Sequence, residues 1–162
     1  MINMKDIVEL LSKKNKTISA MESCTGGAIA NEITNIKGAS KVLKFSAITY
    51  SNEFKIKMGV DKSIIDKYTV YSIQTADEMS KSITNFTNCN YGVGITGQLN
   101  EKDSSNITNE NNKIYISVYD KDQNKFYNEI VYAIDISRQD NKKIIVQKIE
   151  EMLNHIISDE VN

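Results

Sequence analysis

The sequence predicts an α/β fold: a three-layer α/β/α sandwich around a mixed, mostly parallel sheet with a C-terminal hairpin. Three observations predict it. Helical and β-prone segments alternate through the first part of the chain, the order that builds parallel strands through helical crossovers. Two late β-prone runs flank a short polar turn, which adds an antiparallel hairpin. The length, 162 residues, suits one domain over 1–162 and is short for two ordinary ones.

The elements follow in order. Ile7, Val8, Leu10 and Leu11, with Asn3 as a cap, predict an amphipathic helix over 3–14. Residues 17–21 form a short β-prone run that ends in the turn Ser23-Cys24-Thr25-Gly26-Gly27. Ala28, Ile29, Ile33 and Ile36 recur at helical spacing, and Gly38 stops that helix. Residues 42–50 read as a buried strand, followed by short helices over 52–58 and 62–67. Ser72 begins a longer helix through Phe86, with Thr75 and Glu78 at capping-box spacing. Residues 91–96 read as an interior strand whose glycines permit close backbone approach. Residues 97–112 are poor in apolar side chains and read as a mobile loop. Runs over 113–119 and 125–133 form a hairpin about the turn at 120–124. Ser137 caps the last helix, whose core stripe is Ile144, Ile145, Ile149, Met152, Leu153 and Ile156.

Composition excludes several function classes. Lys plus Arg is 20 against 21 Asp plus Glu, a net charge of −1, whereas nucleic-acid and anionic-membrane binders carry a basic excess. No uncharged apolar run is long enough to span a membrane, and the N-terminus lacks a signal-peptide core. Two cysteines, Cys24 and Cys89, form no disulfide framework and suit a reducing, cytoplasmic setting. The absence of Pro and Trp, and a single Arg, fit a codon bias toward A and T.

Ligands in such sheets settle at the carboxyl ends of strands. The turn after the first strand, the segment 50–55 and the turn Ile95-Thr96-Gly97 all fall there. Backbone amides of the first turn, at a helix start, can hold a phosphate or an oxyanion, and a hydroxyl among them is sited for nucleophilic attack. Ser and Thr before a helix are also ordinary caps, and both readings stay open. Asn52 can cap a helix that puts Lys55 in its first turn, where the helix dipole disfavours a cation and would free the amine to act as a base. The plain alternative is a solvated lysine. His155 stands alone, and Cys24 has no histidine beside it to activate it. No Cys, His or carboxylate cluster has metal-ligand spacing, so no metal or cofactor is expected. Glu22 reads as a helper near the turn.

Three motifs carry a resemblance: Ala20 with Glu22 to Gly27, then Gly38-Ala39-Ser40, then Thr49 to Lys55. In order and spacing they resemble the CinA C-terminal domain family, the nicotinamide-nucleotide amidohydrolases. Weaker similarity continues through 91–97 and Ser137-Arg138. The resemblance implies an α/β/α fold and metal-independent hydrolysis of the carboxamide of nicotinamide mononucleotide, yielding nicotinic acid mononucleotide and ammonia. It implies Ser23 as nucleophile and Lys55 as its base, with Tyr50 orienting Lys55 or lining the nicotinamide slot. Thr25, Gly26, Gly27, Thr96 and Gly97 would bind substrate or its phosphate. A small-molecule nucleotide is thus the expected partner, with homo-oligomers possible and neither nucleic acid nor membrane involved. The chain departs from the family at two places. Thr69-Val70-Tyr71-Ser72 stands for Gly-Ala-Val-Ser, and Gln98-Leu99-Asn100 replaces a proline- and glycine-rich loop. Alternatives are a non-catalytic descendant binding a nucleotide or protein partner, and an amidohydrolase acting on another small amide.

Overall fold

Asn3 opens the first helix with a reciprocal capping box, its side chain accepting from the Asp6 amide while Asp6 accepts from the Asn3 amide. In the computed structural model, which describes residues 2–100 and 112–159, the order is α1 (Met4–Lys13), β1 (Ile18–Glu22), α2 (Ala28–Thr34), β2 (Leu43–Ile48), α3 (Asn52–Lys57), α4 (Lys62–Tyr68), α5 (Ile73–Thr87), β3 (Tyr91–Gly97), β4 (Lys113–Asp120), β5 (Lys125–Tyr132) and α6 (Arg138–Ser158). A 3₁₀ turn, Ala39–Lys41, precedes β2.

The strands form one sheet in the order β2-β1-β3-β4-β5. β2, β1 and β3 run parallel, β4 runs against them, and β5 returns in their direction. Alternate strand residues feed two cores, as period-two side chains dictate. On one face Ile18, Ala20, Val93 and Ile95 pack with Ile29 and Ile33 of α2 and Ile145, Ile149 and Leu153 of α6. On the other, Met21 packs with Ile65 of α4, Met79 and Ile83 of α5, and Val60 and Val70 between elements. The expected α/β/α layering with a hairpin on a mixed sheet is therefore what the chain adopts.

Gly92 and Gly94 let α5 lie flat on the centre of the sheet. A Cβ on Gly94 would collide with the Ala76 carbonyl, and one on Gly92 with the Thr84 hydroxyl. This close approach sets the depth at which β3 delivers its carboxyl end.

Four expectations change. The strand over 42–50 is not buried: β2 is an edge strand, with Lys44, Phe45 and Ile48 exposed. Strand order is set by long-range pairing, which a local apolar run cannot report. α5 is capped by Ser72 accepting from the Thr75 amide, and the pair Thr75–Glu78 lies inside the helix. α2 ends at Thr34, short of Gly38, which instead starts the 3₁₀ turn at φ 92°. Of the loop placed at 97–112, residues 101–111 lie outside the described residues. Its first residues are held, with Gln98 and Leu99 buried and the Gln98 amide bonded to the Lys113 carbonyl.

Thr69 sits at φ 64°, ψ 176°, a region that excludes most side chains and suits glycine. Its carbonyl accepts from both Ser72 Oγ and Thr75 Oγ1, and its own hydroxyl accepts from the Tyr71 amide. These bonds hold Thr69 in that conformation.

Adding one methyl at the tightest point tests the packing. Gly94→Ala should cost about 1–3 kcal/mol through overpacking, read as a lower urea midpoint at unchanged m-value. An unchanged midpoint would show that α5 and β3 are not in contact at Gly94.

Candidate active site

The chain leaves β1 toward α2 on one face of the sheet and leaves β2 toward α3 to α5 on the other. Adjacent strands whose connections diverge in this way open a crevice at their carboxyl ends. Glu22 pairs with Ile48 across β1 and β2, and Met21 with Gly94 across β1 and β3. Continuing these registers puts Ser23 and Thr49, just past the ends of β1 and β2, level with Thr96 near the end of β3.

Glu22 is the last residue of β1 and is fully buried. Its side chain falls on the α2 face, where Oε1 accepts from Thr25 Oγ1 at 2.7 Å and the Ile29 amide at 3.0 Å, and Oε2 from the Ala30 amide at 3.1 Å. A carboxylate thus caps α2, whose own N-cap, Gly27, has no side chain to do so. The expectation that this helix start lies open to an anion is corrected: its first free amides are filled by Glu22. Within the turn, the Gly26 and Ala28 amides bond the Ser23 and Thr25 carbonyls. The Thr25 and Gly27 amides have no protein acceptor among the described residues.

Ser23, next in the chain, falls to the opposite side and is 8 % exposed. Lys55 Nζ donates to Ser23 Oγ at 3.1 Å and to the Thr49 carbonyl at 2.8 Å. At 2 % exposure, Lys55 is no solvated surface lysine. Its neighbours Glu53 and Lys57 pair with each other on the outer face of α3 at 2.7 Å, leaving Lys55 to point inward. The cap of α3 is Ser51, accepting from the Phe54 amide, rather than Asn52. Lys55 accordingly lies in the last turn of this six-residue helix, so burial, not the helix dipole, defines its surroundings.

The remaining predicted residues divide. The Thr25 hydroxyl is committed to Glu22. Gly26 lies under α6, where an added Cβ would be 3.3 Å from Lys142 Nζ, and Gly27, at φ 99°, is packed by Ile48. Thr96 Oγ1 donates to the Val70 carbonyl at 2.7 Å, tying β3 to the segment that follows Thr69. Gly97 abuts the Lys113 backbone, which leaves no space for a Cβ. Tyr50 is 62 % exposed and its hydroxyl accepts from Arg138 Nη2 at 3.3 Å, so it stands at the rim and is not hydrogen-bonded to Lys55. The structure therefore joins Ser23 to Lys55 directly and leaves Tyr50, Thr96 and Gly97 outside that contact.

Cys24 is no rival nucleophile. Burial pushes its thiol up to about 12, against the opposing pull of Lys55, so it stays neutral at physiological pH. Among the described residues no cluster of His, Cys, Asp and Glu could hold a metal ion, and no helix is long and apolar enough to cross a membrane.

Two residues that local reading of the strand ends passes over, Arg138 and Lys142, come from one face of α6, four residues apart. Asn141 between them is buried and anchors that end of the helix. Its side chain bonds the amide and carbonyl of Ile134 and Asn100 Oδ1, while Asn100 Nδ2 bonds the Ile136 carbonyl at 2.9 Å. An asparagine near the start of a helix is all that the sequence shows of this anchor. Ile134 is seven residues away, but Asn100 is 41 residues back in the chain, a pairing that local pattern does not reveal.

Residues 3–157 match the family model described as the CinA C-terminal domain. A CinA-like protein of Kosmotoga olearia is 45 % identical over 92 residues, 56 % of this chain and 22 % of that protein. The match thus spans less than a quarter of the length of such curated relatives. A solved competence-damaged protein (CinA) superfamily protein from Klebsiella pneumoniae superposes with a TM-score of 0.87 at 15 % identity, covering 97 % of this chain and 96 % of the other. The competence/damage inducible protein CihA from Agrobacterium tumefaciens gives 0.82 at 22 % identity, covering 96 % of each. These two likenesses establish the shared fold.

The thiol assignment has a direct readout. Iodoacetamide at pH 8 should leave Cys24 unmodified in the native protein and alkylate it in denaturant, as peptide mass analysis would read. Rapid native labelling of Cys24 would contradict its burial.

Proposed function

This chain belongs to the CinA C-terminal domain family, and on that footing we propose that it hydrolyses the carboxamide of nicotinamide mononucleotide, with Ser23 as nucleophile and Lys55 as base. One observation carries the reading: a buried lysine amine 3.1 Å from a nearly buried serine hydroxyl. A carboxamide is a poor electrophile, so its hydrolysis needs an activated hydroxyl, a proton for the leaving nitrogen and donors for the oxyanion.

Lys55, as the unprotonated amine, takes the Ser23 proton while Oγ bonds to the carboxamide carbon. The carbonyl oxygen becomes an oxyanion, for which the Thr25 and Gly27 amides are the available donors. Collapse restores the carbonyl and breaks the C–N bond, and the nitrogen takes the proton from the Lys55 ammonium and leaves as ammonia. A water then attacks the ester carbon and gives its proton to Lys55. The Ser23 oxygen departs, recovers that proton, and the acid product is released. No step draws on a metal.

The rim suits the rest of a mononucleotide. Lys142 over Gly26 and Arg138 at Tyr50 put two cations beside the crevice, and an anionic phosphate gains from both. The exposed Tyr50 ring is the apolar surface offered to a nicotinamide ring.

Purified protein should release ammonia from nicotinamide mononucleotide, unaffected by chelator. Ser23→Ala and Lys55→Ala should each lower kcat by about 10³-fold or more at retained fold. Lys142→Gln should raise KM by about tenfold with kcat little changed. A folded wild type that releases no ammonia would overturn the reading.

A further inference from the structure

Three threonines lie at or near the carboxyl ends of β1, β2 and β3, and all are buried. Thr25 bonds Glu22 and Thr96 bonds the Val70 carbonyl. The hydroxyl of Thr49, at 2 % exposure, has no hydrogen-bond partner among the described residues. Its backbone is committed on both sides: the amide donates to the Glu22 carbonyl at 2.8 Å, and the carbonyl accepts from Lys55 Nζ at 2.8 Å.

The register fixes where this side chain points. Ala47 belongs to the core on the α5 face, and two residues on, Thr49 shares that side, as does Ser23 two residues beyond Met21. The hydroxyl is therefore level with Ser23, on its side of the sheet, and belongs to the residue that holds Lys55. Valine has the same shape without the desolvation cost, so a buried hydroxyl left unpaired by the fold calls for a cause outside it.

We propose that Thr49 is a further binding residue of this crevice, whose hydroxyl completes its hydrogen bonding with the primary carboxamide of a bound ligand. The assignment rests on the amidohydrolase reading. There the leaving nitrogen receives its proton from Lys55 and so must come beside the group that holds Lys55. The hydroxyl can accept from the NH₂ of the amide and then from departing ammonia.

The test compares Thr49→Val, which removes only the hydroxyl, with Thr49→Ser, which keeps it. Thr49→Val should melt at or above the wild-type temperature, because no bond within the protein is lost. Its kcat/KM for ammonia release from nicotinamide mononucleotide should drop by about tenfold or more, and Thr49→Ser should recover most of that loss. A lower melting temperature in Thr49→Val would show that the hydroxyl serves the fold, through a protein group or a structural water, and would overturn the proposal. An unchanged kcat/KM would overturn it equally. If wild type releases no ammonia, the amidase reading fails, and calorimetric titration with nicotinamide mononucleotide then decides Thr49. Binding weakened about tenfold in Thr49→Val sustains the proposal, while equal binding, or none to either protein, overturns it.

Discussion

Holding an amine out of water is costly unless hydrogen bonds replace its hydration, and Lys55 meets that condition at one place in this fold. Its amine lies between Ser23 Oγ and the Thr49 carbonyl, which belong to the ends of neighbouring parallel strands. The contact therefore requires β1 and β2 to be adjacent and in register. It also requires α3 to follow β2 closely enough to turn its inner face back over the strand ends. Ser51 provides the turn by capping α3 three residues after Ile48, and the Glu53–Lys57 pair marks the face that stays in solvent. The flat seat of α5 on Gly92 and Gly94 keeps the opposite wall at the depth that the crevice needs.

A second constraint divides the turn after β1 into two jobs. Glu22 points to one side and spends its carboxylate on α2, while Ser23 points to the other. Sending these neighbours to opposite faces keeps a strong acceptor from competing for the Lys55 amine. It also fills the helix end, so that only the Thr25 and Gly27 amides of the turn lack a protein acceptor among the described residues, with Lys142 above Gly26. The acidic Glu22, which reads from sequence as a helper near the turn, is in this way the structural support of the turn.

Much of this was legible in the sequence because it is local. Asn3, Ser72 and Ser137 sit where a chain must cap its helices, and each does. Gly92 and Gly94 advertise a close approach that only the absence of a Cβ allows. Ser23 and Lys55 stand out because each ends a β-prone run within a few residues, where α/β folds bring ligands. What was not legible is long-range. The exposure of β2 follows from strand order, and the anchoring of α6 from Asn100 and Asn141 meeting across 41 positions. The resemblance implied that Tyr50 orients Lys55 or lines the slot; the turn into α3 points its hydroxyl toward Arg138, a direction that the sequence does not show. The unpartnered Thr49 hydroxyl is a property of three-dimensional packing alone.

Whether Ser23 and Lys55 act as one chemical unit is read by a double-mutant cycle on ammonia release from nicotinamide mononucleotide. If the two share one proton-transfer step, the Ser23→Ala/Lys55→Ala protein should be no slower than the worse single variant, because either change already disables the unit. Losses that multiply in the double variant would mean that the residues contribute independently and that no shared proton-transfer step joins them.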